Sequence, residues 1–216
     1  MAYFYAEFYL YNRNLCRKDT RIYFGDKKPN STEGNCVGLF ILKNPGSAKP
    51  ITINKWNEIQ IDKDKALPWI ANRYKSVIEK LKLRVNNNNF IRVCNLIPIC
   101  DPDLHQAIKS SGGISYPIEE IKAEKLPFIC YAWGGNEPEL NIYREEYLKS
   151  LQRFKDVSFF IKYNFSNKKE RIQKIIEGPP LIGEKVKHTQ GMLANLIEKK
   201  LKEVVNGYLF NFSGIS

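Results

Sequence analysis

The sequence has no apolar run long enough to cross a membrane, no C-x-x-C pair and only two histidines, His105 and His188. A spanning helix needs about 20 consecutive apolar residues, so no membrane segment is expected. The five cysteines (Cys16, Cys36, Cys94, Cys100, Cys130) are odd in number, and three fall inside expected strands, where a free thiol behaves as a small hydrophobe. That argues against a disulfide frame, a zinc site or an iron–sulfur cluster. It also fits a reducing, cytoplasmic setting. The first residues alternate aromatic and polar groups without a basic segment or cleavage site, which argues against a signal peptide. No paired carboxylates and no Ser/Cys–His arrangement stand out, which disfavours peptide and sugar hydrolysis.

What the chain does have is a sizeable apolar fraction and a basic balance. Its 216 residues are 43% hydrophobic, enough for one buried core. We expect a single domain over 1–216, with a core over 36–205 and a strand or hairpin appendage over 1–35. Lys and Arg number 34 against 23 Asp and Glu, a net charge of +11. That excess favours a polyanionic partner, nucleic acid ahead of an acidic membrane surface.

Residues 2–12 and 21–24 are aromatic-rich and are predicted as strands joined by a polar turn, a hairpin at the sheet edge. Cys36 to Leu42 is a nearly unbroken apolar run, the pattern of a strand buried on both faces. It halts at Asn44-Pro45-Gly46. Short extended pieces are expected in 49–64, then a helix over 65–84 from the spacing of Trp69, Ile70, Tyr74, Val77, Ile78 and Leu81. Phe90 to Pro98 makes a second buried strand, and Asp101 with Pro102 opens a short helix through Ile108. Phe128 to Gly135 makes a third strand, followed by a helix over 139–154 and a fourth strand over 157–163. The basic residues Lys168, Lys169, Arg171 and Lys174 recur at helical spacing. A final amphipathic helix spans 191–205, and 208–212 is expected as a short strand. Alternation of strand and helix predicts an α/β fold, three layers with a mostly parallel central sheet.

In a parallel sheet the strand ends converge on one crevice. Three of them carry unusual signals here: Asn44-Pro45-Gly46, Asn95 before Pro98, and Trp133-Gly134-Gly135. A fourth, His188-Thr189-Gln190-Gly191, precedes a helix start, where free amides attract anions. Asn-Pro-Gly also serves as a plain turn, Trp133 suits a core, and a run of lysines suits a solvated face.

In this order the motifs resemble those of the uracil-DNA glycosylase superfamily. Leu42-Lys43-Asn44-Pro45-Gly46 is similar to the first motif of its mismatch-specific, thymine-handling branch, whose asparagine positions the attacking water. Asn95 resembles the base-reading asparagine, and Trp133-Gly134 the pair that closes the third strand. His188 to Gly191 resembles the last motif, which clasps the minor groove and stabilises the departing base, although Thr189 stands where a proline is usual. Asn211-Phe212-Ser213-Gly214 is a rival match with no helix after it. The resemblance implies a monomeric, monofunctional DNA glycosylase acting on double-stranded DNA without metal or cofactor. Asn44 and His188 would be catalytic, and Pro45, Gly46, Asn95, Trp133 and Gly134 would contact the substrate. Ser47, Thr189, Gln190, Gly191, Met192, Lys168, Lys169 and Arg171 would contact DNA. A glycine at 46, where strict uracil enzymes carry a tyrosine, implies room for a pyrimidine 5-substituent: thymine, a 5-hydroxymethyl base or a bulkier modified base of phage DNA. The alternatives are a catalytically silent nucleic-acid-binding protein of the same fold and a hydrolase of free nucleosides or nucleotides.

Overall fold

The computed structural model describes residues 1–30, 32–46, 50, 52–61, 64–84, 86–112, 115–167 and 170–212, with backbone alone over 164–167, 170–171 and 208–212. Ser47, Lys168, Lys169, Ser213 and Gly214 lie outside the described residues.

Strands β1 (Ala2–Tyr11) and β2 (Asn14–Phe24) form an antiparallel hairpin. Asn12 and Arg13 between them both take left-handed backbone angles (φ 47° and 64°), the turn whose twist suits a two-residue hairpin. Then follow β3 (Cys36–Leu42), β4 (Trp56–Glu58), α1 (Ala66–Leu81), β5 (Phe90–Asn95), α2 (Leu104–Ser110) and β6 (Ile129–Tyr131). The chain continues through α3 (Asn141–Ser150), β7 (Ser158–Asn167), β8 (Glu170–Glu177) and α4 (Ala194–Phe212).

All eight strands join one sheet in the order β4-β1-β2-β5-β3-β6-β7-β8. Only β5, β3, β6 and β7 run parallel; β4, β1, β2 and β8 pair antiparallel on the two flanks. The α/β class stands, but the sheet is mixed rather than mostly parallel. The connections from β1 to β2 and from β7 to β8 are two residues each, too short for a crossover, so those two pairs can only be antiparallel. The N-terminal hairpin is not a bare edge: β2 pairs with β5, and β1 is itself covered by β4.

The central strands alternate between two apolar layers. Phe40 and Leu42 of β3 face α1 and α4, together with Phe8, Ile22, Val93 and Phe159. Leu39 and Ile41 face α3, together with Cys94, Tyr131, Trp133, Tyr143 and Tyr147. That double burial is why β3 is a continuous hydrophobic run rather than an alternating one. Helix α1 buries Leu67, Ile70, Ala71, Tyr74, Val77 and Ile78 at helical spacing. Each large apolar side chain so buried contributes about 1.5–3 kcal/mol against exposure.

Several local expectations change. Asp103, not Asp101, caps α2, accepting from the backbone N–H of His105 at 2.8 Å and Gln106 at 3.4 Å. Asp101 instead accepts from the Asp103 N–H at 2.7 Å. The basic segment is strand β8 rather than a helix, so Arg171 and Lys174 follow a strand's two-residue alternation. Residues 208–212 continue α4. Propagating a formed helix adds a backbone hydrogen bond per residue, whereas a five-residue strand needs an open sheet edge.

Candidate functional site

Starting from β3, the chain reaches β5 on one side and β6 on the other, so the sheet's direction of growth reverses beside β3. Open α/β sheets bind ligands outside the carboxyl ends of the strands at such a point. A cleft of about 250 Å³ lies there. Its walls include Asn44, Pro45 and Gly46 after β3, Arg17 from β2, and Asp64, Lys65 and Ala66 at the start of α1. His188 and Gln190 close it from the segment before α4, and Pro102 from the loop after β5.

Asn44 donates from Nδ2 to the Asp101 carbonyl oxygen at 2.6 Å, which fixes the amide's orientation and makes Oδ1 its acceptor. Gly46 has φ +68°, and among the described residues a Cβ there would meet nothing within 4 Å. The backbone therefore selects glycine, and the space beside it is open.

His188 is held by two contacts. Its Nδ1 accepts from the Gln190 N–H at 3.4 Å, so the neutral ring carries its proton on Nε2. A Cβ on Gly134, which has φ +65°, would sit 2.8 Å from the His188 Cβ. Burial pushes the imidazole pKa below 6.5, and the positive charges of Lys43 and Lys187 add to that, with Asp64 opposing. The ring is neutral at pH 7. His188 does not adjoin α4 as expected: Thr189–Gly191 form a single 3₁₀ turn, and the helix begins at Ala194. The helix start at this cleft is that of α1.

Asn95 ends β5 and is 3% exposed, and among the described residues neither Oδ1 nor Nδ2 has a hydrogen-bond partner. It pairs across the parallel ladder with Leu42, a wall of the cleft, so the two share a sheet face. Arg17 pairs with Phe8, whose ring lies in the same apolar layer as Leu42, which places Arg17 on that face too. An unpartnered buried amide costs about 1–3 kcal/mol, a cost that a ligand's complementary edge would relieve.

The other expected contacts divide. Gln190 is exposed and stands at the cleft, and the Gly191 carbonyl accepts from Gln173 Nε2 at 2.7 Å. Thr189 and Met192 are buried, and Met192 packs in the apolar layer under α4, so it is not placed to enter a duplex. Trp133 is 1% exposed in the opposite layer, its ring 5.2 Å from Tyr131 and 5.8 Å from the Arg144 guanidinium. It is a core side chain, not a base-stacking platform. Behind it Glu137 bridges Lys43 (2.7 Å) and Arg144 (3.2 Å). Burial works to raise the Glu137 carboxyl, and these two cations outweigh it and hold the pKa low.

Sequence reasoning missed Arg17 and Asp64. Arg17 is 1% exposed, with no hydrogen-bond partner for Nε or Nη1 among the described residues, and its Nη1 lies 3.7 Å from Asp64 Oδ2. An arginine inside an aromatic-rich strand, next to the buried Cys16, was the available signal. Asp64 Oδ1 accepts from the N–H groups of Ala66 (2.8 Å) and Leu67 (3.0 Å), as an acidic residue before an apolar helix would.

Among the described residues no group of three or more His, Cys, Asp or Glu could hold a metal ion, and no helix is long and apolar enough to cross a membrane. Comparison with protein-family models, curated proteins and solved structures finds no match to this chain.

Proposed function

We propose that this protein is a monofunctional DNA glycosylase, similar to the uracil-DNA glycosylase superfamily, that excises a mismatched, damaged or 5-modified pyrimidine and leaves an abasic site. One observation carries the reading. Asn44 and His188, 144 positions apart in sequence, wall one small cleft, and Asn95, itself not one of its walls, is the ladder partner of Leu42, which is. The cleft falls below the roughly 300–1,000 Å³ of drug-sized pockets, a scale suited to one flipped base.

The residues divide the work as follows. Asn95 offers a donor and an acceptor to a pyrimidine edge. Asn44 Oδ1 holds a water against the sugar's anomeric carbon. As the glycosidic bond breaks, negative charge develops on the base, and a neutral His188 donating from Nε2 stabilises it. Open space at Gly46 admits a 5-substituent. The net charge of +11 suits a phosphate backbone.

The test is abasic-site formation on labelled duplexes carrying uracil, thymine opposite guanine, and hydroxymethylated or glucosylated cytosine. Excision of one of these, lost in Asn44→Ala, is expected. Salt-sensitive duplex binding with every base intact would instead identify a silent binding protein, and base release from free nucleosides alone a nucleoside hydrolase.

A further inference from the structure

The water in this reading has a holder but no proton acceptor, because an asparagine amide cannot take a proton at neutral pH. We propose that Asp64 is that acceptor, a catalytic carboxylate supplied by the start of α1 rather than by the strand-end motifs. The inference rests on the excision reading.

Among the described residues Asp64 is the sole carboxylate in the walls of the cleft that Asn44 and His188 share. Its two oxygens have different surroundings. Oδ1 accepts from two backbone N–H groups of α1, which lock the side chain in one orientation. Oδ2 faces Arg17 Nη1 at 3.7 Å, longer than a hydrogen bond, so that contact leaves its lone pairs able to take a proton. Capping a helix requires only Oδ1. It does not require a guanidinium 1% exposed, set opposite the second oxygen with Nε and Nη1 unpaired. A buried cation with two nitrogens unpaired among the described residues is expensive to keep, and here it stands beside a carboxylate at a ligand-sized cleft.

The step balances. A water lone pair forms the new bond to the anomeric carbon, and the carbon–nitrogen bond breaks with its electron pair leaving on the base. The water's proton passes to Asp64 Oδ2, which later returns it to solvent, while His188 hydrogen-bonds the departing base.

Asp64→Asn is the informative change, because asparagine caps a helix as well as aspartate does while it removes the proton acceptor, and with it the charge that faces Arg17. Single-turnover excision by the folded variant should fall by about a hundredfold or more, the usual contribution of a positioned base, with duplex affinity unchanged and thermal stability lowered by the loss of Arg17's counter-charge. In Asp64→Ala, added formate should restore part of the rate, which a purely structural aspartate would not permit. Excision by Asp64→Asn within about threefold of the parent rate would overturn the assignment and leave the glycosylase reading intact. Absence of excision by the parent protein on every duplex would overturn both.

Discussion

Gly134 and His188 pack closely against one another: a Cβ on the glycine would stand 2.8 Å from the Cβ of the histidine. The end of β6 thus sets where the imidazole sits, although 54 residues separate the two. The backbone of Gly134 also holds φ +65°, so both conformation and space select glycine.

Gly134→Ala should therefore destabilise the protein by about 1–3 kcal/mol and displace His188. Denaturant unfolding checks the first effect, and excision assays on the folded variant check the second. A variant with parent stability and parent activity would show that the contact constrains nothing.

Stability should fall as pH drops through 6.5. Because burial, Lys43 and Lys187 lower the folded-state pKa of His188, the unfolded chain takes up that proton first. The contribution is present above pH 6.5 and declines below it. His188→Asn should make the fall between about pH 7.5 and about pH 5.5 shallower, as measured by urea unfolding at both values.

Asn95→Leu separates structural from functional roles. If the amide serves only packing, an isosteric apolar side chain is harmless. We expect thermal stability equal to the parent or higher, since a buried amide without partners costs about 1–3 kcal/mol, together with excision reduced at least about tenfold. Parent activity in this variant would remove Asn95 from the site.

The thiols should be slow to react. Burial pushes Cys16 up to about 11, against an opposing hydrogen bond from Tyr9, and Cys100 up to about 12, against an opposing charge from Arg17. Since the thiolate is the nucleophile, iodoacetamide near neutral pH should label neither until the protein is unfolded. Mass spectrometry of labelled peptides gives the answer directly.

Asn44 and His188, which the structure brings to one cleft, were both singled out in the sequence, the first because Pro45 and Gly46 end a buried run, the second as the residue before an expected helix start that in fact falls at Ala194. The four parallel strands were legible for a similar reason: burial on both faces demands uninterrupted apolar runs such as that of β3. The flanks were not. Lys174 follows helical spacing in a short basic run, yet β8 forms because β7 offers it an edge. Residues 208–212 resemble a strand by composition but prolong a helix already formed.

Hydrophobic periodicity and turn chemistry are local, so the sequence by itself determined the central strands, helix α1 and the residues that end β3 and β5. Which side chains meet is a question of register between distant segments. Only the tertiary structure placed Arg17 of the first hairpin 3.7 Å from Asp64 at the head of α1, and moved Trp133 to the face away from the cleft. The reason is geometric: a strand's alternation assigns each residue to one of two faces, and pairing with its neighbours decides which face is which.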